Sequence, residues 1–166
     1  MRQSDYLEEN FELVRKLKEL PIFNSFHDKH INGLIKLCRI REYEPEEIVF
    51  EEGTFDNHIY FLLSGKVNIV KQGVVVCTLR RTGDLFGEMG IIDGKPRSAS
   101  VHISDRTSCL MMDASFIDRL PENEKEVCLY ILYRVFSDIL SSRLRSTTEE
   151  LIKVKAEIER IINAAP

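Results

Sequence analysis

Apolar positions change period twice along this chain of 166 residues. Leu7, Phe11, Val14 and Leu17 recur at helical spacing among acids and lysines, which predicts an amphipathic helix over about 4–20, stopped by Pro21. A second, short helix is predicted over 27–38, burying Ile31, Leu34, Ile35 and Leu37. From Arg39 to Met112 the pattern turns to short runs: Ile40–Tyr43, Ile48–Glu51, His58–Leu63, Lys66–Val70, Val74–Leu79, Ala99–Ile103 and Thr107–Met112. Gly53, Gly65, Gly73 and Gly83 punctuate them at intervals of about ten residues. Val67 and Ile69 alternate with Lys66 and Asn68, as half-buried antiparallel strands require. These features predict an α+β, mainly β fold built on an antiparallel β-roll or jelly-roll barrel.

After Asp113, a helix cap, a short helix is predicted to about Leu120, and Pro121 opens a long one. No glycine or proline interrupts 122–162. Leu140, Leu144, Thr147, Leu151, Val154, Ile158 and Ile161 step by four and three, with Leu144, Leu151 and Ile158 at heptad position a and the others at d. Glu150 then falls at g and Lys155 at the following e, a pairing that suits a parallel homodimer. A helix packed on its own barrel is the alternative. The expected organisation is one domain over 1–166: N-terminal helices to 38, a roll over 39–112, and C-terminal helices over 113–163 that include the dimerisation seam.

Composition narrows the function. With 43% apolar residues the chain has material for one core and an appended helix. A net charge of −4 and a pI near 5.6, with basic residues spread among acids, argue against a nucleic-acid surface. The polar start and the lack of a run of about 18 apolar residues predict a cytoplasmic protein with no signal peptide and no membrane span. Cys38, Cys77, Cys109 and Cys128 are far apart, so they read as small buried hydrophobes kept reduced.

The chemistry concentrates in residues 86–100, Phe-Gly-Glu-Met-Gly-Ile-Ile-Asp-Gly-Lys-Pro-Arg-Ser-Ala-Ser. Gly87 allows close backbone approach to a ligand, and amides at the start of the following turn favour an anion. Arg97, beyond an Asp-Gly turn and Pro96, offers a planar fork of donors suited to two phosphate oxygens. Glu88 is a natural acceptor for a sugar hydroxyl. A Glu and an Arg nine residues apart also make an ordinary surface ion pair; the combination with Phe86-Gly87 and Pro96-Arg97-Ser98-Ala99 raises the segment above that.

This segment resembles the phosphate-binding cassette of the cyclic-nucleotide-binding domain family, found in catabolite activator proteins, kinase regulatory subunits and cyclic-nucleotide-gated channels. The run from Glu47 to Val67, with spaced glycines and aliphatic alternation, resembles that family's early strands. The likeness covers about Leu20 to Leu120. It implies that Glu88 accepts the ribose 2′-hydroxyl and Arg97 grips the exocyclic phosphate oxygens. Gly87 and its neighbours Phe86, Met89 and Ala99 would line the pocket. Ser98 matches a serine that reaches the phosphate in the catabolite activator group; otherwise it merely opens a strand.

Arg143-Leu144-Arg145-Ser146-Thr147-Thr148-Glu149 resembles the base-contacting stretch of the same group, which implies that Thr147 and Thr148 meet the base, one from each subunit. The alternative for Thr147 is a polar seam residue that fixes register. The function implied is a non-catalytic receptor for cyclic AMP, with cyclic GMP open, that passes ligand occupancy through the C-terminal helix to an unidentified downstream protein. The helix runs to Ile162 where that group has a hinge and a DNA-reading module, so direct transcriptional control is not expected.

Other classes fare poorly. A cupin-type metal enzyme needs clustered histidines, and His27, His30, His58 and His102 are scattered. Nothing matches Gly-x-Ser-x-Gly or a Walker loop. The competing reading is a ligand-independent dimerisation and partner-docking module on the same fold.

Overall fold

The structure is a computed structural model and describes Lys18, Phe23, Leu34 and residues 38–164. Lys18 and Leu34 are helical; the rest of the two N-terminal helices expected over 4–20 and 27–38 lies outside the described residues. The chain divides into two units, residues 1–131 and 132–166.

The first unit contains an antiparallel β-roll. Its strands are β1 (Cys38–Tyr43), β2 (Ile48–Phe50), β3 (His58–Lys71), β4 (Val74–Leu79), β5 (Leu85–Phe86) and β6 (Ser100–Asp113). They run in the order β1-β6-β3-β4, with β2 added to β6 and β5 to β3. A short helix α1 (Glu88–Asp93) sits between β5 and β6, and a 3-10 turn (Ala114–Arg119) follows β6. Helix α2 (Glu122–Ala164) completes the chain.

Alternation predicts two runs where the structure has one long strand in two places, β3 and β6. The reason is visible at Gly65, which reads as a turn but holds φ +97° inside β3. A Cβ there would collide with Thr107 Oγ1 and come within 2.5 Å of the Arg106 carbonyl oxygen. Gly65 therefore lets β3 and β6 close together through irregular register between Leu62 and Val67. Thr107 repairs the ladder there, accepting from Lys66 N at 3.1 Å. Cys38, predicted to end a helix, opens β1 opposite Met112.

Side chains alternating inward from these strands form the core: Tyr43, Tyr60, Leu62, Val67, Leu79, Phe86, Val101, Ile103, Cys109 and Met111. Tyr60 and Phe86 stack at 5.1 Å between ring centroids. Ile59 and Phe61 on the opposite face of β3 are also buried, and Phe61 meets Phe23 at 5.8 Å. β3 is thus apolar on both faces at its start, which fixes the strand that leads out of the 51–57 loop.

Three cysteines are buried as expected, and Cys77 is not. It lies on β4 beside exposed Val74, Val75 and Val76. A valine run suggests burial, but β4 ends the strand order and pairs with β3 alone among the described residues. Burial pushes the Cys109 thiol up to about 12 and the Cys128 thiol to about 11, so neither is a nucleophile near neutral pH.

The second unit is the helical remainder of α2. Leu144, Leu151, Val154, Ile158 and Ile161 of the predicted seam are all at least half exposed, as are Ile152 and Ile162. Tyr133 and Phe136 make an edge-to-face pair at 6.3 Å. No helix among the described residues is long and apolar enough to cross a membrane.

Candidate functional site

Arg97 is the centre of the site, and its side chain is only 2% exposed. Two backbone bonds hold its peptide against the 51–57 loop: Arg97 N donates to Thr54 O, and Gly53 N donates to Arg97 O, both at 2.8 Å. Lys71 Nζ donates to Ser98 O at 2.6 Å and to Glu52 Oε1 at 2.5 Å, tying the same loop to the entry into β6. The guanidinium is therefore delivered by the entry to a strand that two segments grip, the 51–57 loop and the end of β3.

Its donors are directed inward. Nη2 donates to Asp56 Oδ2 at 2.8 Å and to the His58 carbonyl at 2.6 Å, and Nη1 donates to the Gly87 carbonyl. The Phe50 ring lies beneath, 4.2 Å from the guanidinium carbon. Nε is buried and has no hydrogen-bond partner among the described residues. A buried donor left without an acceptor has an unmet demand for one.

Asp56 is the carboxylate that sequence reasoning missed. It lies in the 51–57 loop, 41 residues before Arg97, and no local pattern links the two. Oδ1 accepts from the His58 backbone N–H at 3.0 Å and also contacts His58 Nδ1, so one carboxylate bridges an imidazole and a guanidinium. Burial acts to raise the Asp56 carboxyl, but hydrogen bonds from His58 and Arg97, with their charges, more than offset it and hold it well below the usual carboxylate range. Burial, helped by the Asp56 charge, pushes the nearby Tyr60 phenol up to about 12.

The 86–93 segment supplies the wall. Gly87 caps α1 in the left-handed region at φ +87°. A Cβ at this position would stand 2.9 Å from Arg97 Nη1 and 3.0 Å from the His58 carbonyl, so only glycine fits between the guanidinium and β3. Glu88, the first residue of α1, is buried. Met89 is exposed, and its sulfur accepts from Ser98 Oγ at 3.5 Å, which brings these two predicted residues to one rim. Ala99 is half-buried beside them.

The structure thus gathers Gly87, Glu88, Met89, Arg97, Ser98 and Ala99 around one turn. Phe86 belongs elsewhere: its ring is stacked in the core on Tyr60, so it supports the turn from below. Thr147 and Thr148 are exposed on α2 in the second unit, and Thr148 Oγ1 donates to Leu144 O at 2.7 Å. Among the described residues no group of three or more His, Cys, Asp and Glu side chains is placed to hold a metal ion.

Comparison with known proteins gives a consistent set of matches. Residues 40–124 match the family model of the cyclic nucleotide-binding domain. A cGMP-dependent protein kinase of Plasmodium berghei is 30% identical over 139 residues, covering 84% of this chain and 14% of that protein. A cAMP-dependent protein kinase regulatory subunit of Yarrowia lipolytica is 34% identical over 87 residues, covering 51% of this chain and 23% of the relative. The chain therefore spans about a quarter or less of the length of these relatives. Among solved structures, a cyclic nucleotide-binding domain from Methylobacillus flagellatus superposes with a TM-score of 0.78 at 20% identity, covering 92% of this chain and 88% of that one. The Thermus thermophilus catabolite activator protein shares the fold at a TM-score of 0.62 and 24% identity, over 81% of this chain and 63% of its own.

Proposed function

Since the chain belongs to the cyclic nucleotide-binding domain family, we propose that it is a non-catalytic receptor for cyclic AMP that grips the phosphodiester with Arg97. The observation that carries this reading is the buried guanidinium with an open Nε beside the left-handed turn at Gly87. A cyclic phosphodiester offers acceptor oxygens to such a fork and carries a single negative charge. Glu88 is assigned to the ribose 2′-hydroxyl, and Gly87, Met89, Ser98 and Ala99 to the walls around the phosphate. Phe86 acts through its packing. Thr147 and Thr148 are assigned to the base on resemblance alone, and cyclic GMP is the competing ligand. Relatives named for each nucleotide match the chain, so competition between the two decides the base.

Signal output follows from dimerisation. The exposed apolar seam of α2 supports a parallel homodimer, because Leu144, Leu151 and Ile158 recur at one heptad position with no cover within their own unit. A ligand biases the C-terminal helix only through different affinities for its two arrangements. The protein that receives the signal is a further partner of this helix.

The test is calorimetric titration with cyclic AMP in the wild type and in Arg97→Lys and Arg97→Ala. Loss of the bidentate fork from a desolvated site is a loss of about 2–5 kcal/mol, so affinity falls roughly thirtyfold or more. Circular dichroism verifies that each variant is folded. Unchanged affinity in a folded Arg97→Ala refutes the assignment. One observation favours a second reading: Arg97 is already paired with Asp56, as a ligand-independent docking module would have it. Absence of any thermal shift with either cyclic nucleotide supports that module instead.

A further inference from the structure

We propose that His58 is a proton-dependent positioning residue for the phosphate grip: its imidazolium draws the Asp56 carboxylate, releases Arg97 toward a cyclic phosphodiester, and makes affinity rise as pH falls. The inference rests on the cyclic-nucleotide reading of the Arg97 site.

The Asp56 carboxylate is divided between two cations or potential cations. Oδ2 accepts from Arg97 Nη2 at 2.8 Å, while Oδ1 faces His58 Nδ1. A carboxylate only accepts, so Nδ1 carries the hydrogen that faces it. The His58 side chain is 32% exposed, so water delivers the proton, whereas Arg97 is sealed. The loop is anchored beyond Asp56, where Ala114 N donates to Asn57 O at 2.8 Å, so a change in His58 acts on the Asp56 side chain and not by moving the loop.

Three other titratable groups stand near His58. Asp113 lies opposite across β3 and β6, but its Oδ1 accepts from Ser115 N at 2.9 Å and Ser115 Oγ at 2.6 Å. Glu88 is buried at the start of α1, which packs on β3. Tyr60 presents a ring, 6.3 Å from the imidazole, and its phenol stays neutral throughout the relevant pH range. His58, Asp56 and Arg97 are linked directly, through one carboxylate.

Histidine is the ordinary side chain that changes charge between about pH 5 and 8. With neutral His58 the three groups sum to zero, and an incoming phosphodiester adds uncompensated negative charge while competing with Asp56 for Nη2. With charged His58 they sum to one positive charge, which the phosphodiester neutralises. The imidazolium also strengthens its own hold on Asp56, which weakens the competition. Both effects have the same sign. By linkage, bound anion must favour protonation of His58 to the same degree.

The experiment is titration of the full chain with cyclic AMP from about pH 8 to about pH 5.5 in the wild type, His58→Gln and His58→Phe. Wild-type affinity is expected to rise about fivefold, at the lower end of typical couplings between sites. Both variants are expected to be flat across this range. In NMR the His58 ring titration of the wild type should move to higher pH on saturation with cyclic AMP, a readout that needs no variant to fold. A flat wild type, a pH slope retained in His58→Gln, or an unmoved ring titration overturns the proposal. Failure of the underlying reading looks different: neither cyclic AMP nor cyclic GMP gives heat or thermal shift at any pH, and the proposal falls with it.

Discussion

Removing the Asp56 carboxylate is the sharpest test of how the site is held together. Arg97 is 3% exposed, and its Nη2 bond to Asp56 is one of three that keep the guanidinium inside. Breaking a buried ion pair by deleting one partner costs about 3–5 kcal/mol, because the other charge stays buried. In a chain of this size 1 kcal/mol corresponds to about 2–4 °C in Tm, so Asp56→Ala is expected to lower the melting temperature of the unliganded protein by about 6–20 °C. The remaining bonds to Gly87 and His58 carbonyls and the contact with Phe50 keep the fall toward the smaller figure. The pH dependence has a definite sign. The folded-state carboxyl lies below its unfolded value of about 3.9, so its contribution is fully present above about pH 4 and is lost as pH falls below that. The Tm gap between wild type and variant should therefore narrow in acid stronger than about pH 4. Differential scanning fluorimetry on both sides of that pH reads both features. A shift below about 1 °C, or a gap that does not narrow in acid stronger than about pH 4, refutes the view that Asp56 stabilises Arg97 through its charge.

Two further outcomes follow from the fold. Gly65→Ala places a methyl against Thr107 Oγ1 and the Arg106 carbonyl at a positive φ, so it should destabilise by about 1–3 kcal/mol, seen as a lower urea midpoint with an unchanged m-value. Leu151→Glu puts a charge at an a position of the α2 seam and should convert a dimer to a monomer in sedimentation; a protein as dimeric as the wild type places the interface elsewhere.

What could be read from the chain alone divides along a physical line. Gly87, Glu88 and Arg97 were legible because the turn that joins them is local, spanning 86–100, and each residue type has few reasons to stand where it does. Asp56 and His58 were not legible, since their roles arise only when the 51–57 loop is laid against the entry to β6. Alternation located the strands but not their continuity: Gly65 breaks the pattern in a strand that continues through it. β5, with two residues, is too short to show any period, which is why Phe86 reads as pocket lining while its ring packs in the core. On β4 the valine run carries no information about which edge of the sheet it occupies, and there exposure wins.

The contacts of Arg97 also bear on how a ligand would act. Its anchors come from three places: the 51–57 loop through Asp56, the start of β3 through the His58 carbonyl, and the turn before α1 through the Gly87 carbonyl. Of the five guanidinium N–H groups these contacts use three, both on Nη2 and one on Nη1, so an anion at Nε or at the second Nη1 hydrogen displaces none of them, whereas one that takes Nη2 competes with Asp56 or the His58 carbonyl. Observed affinity is then the difference between phosphate and the groups it displaces, not the strength of the arginine–phosphate contact itself. An anion seated on the unused donors would stand beside the Gly87 turn that positions Glu88 and Met89. Because the guanidinium is committed to its own loop and backbone, an anion would act on the surrounding segments only to the extent that it changes the strength of those contacts.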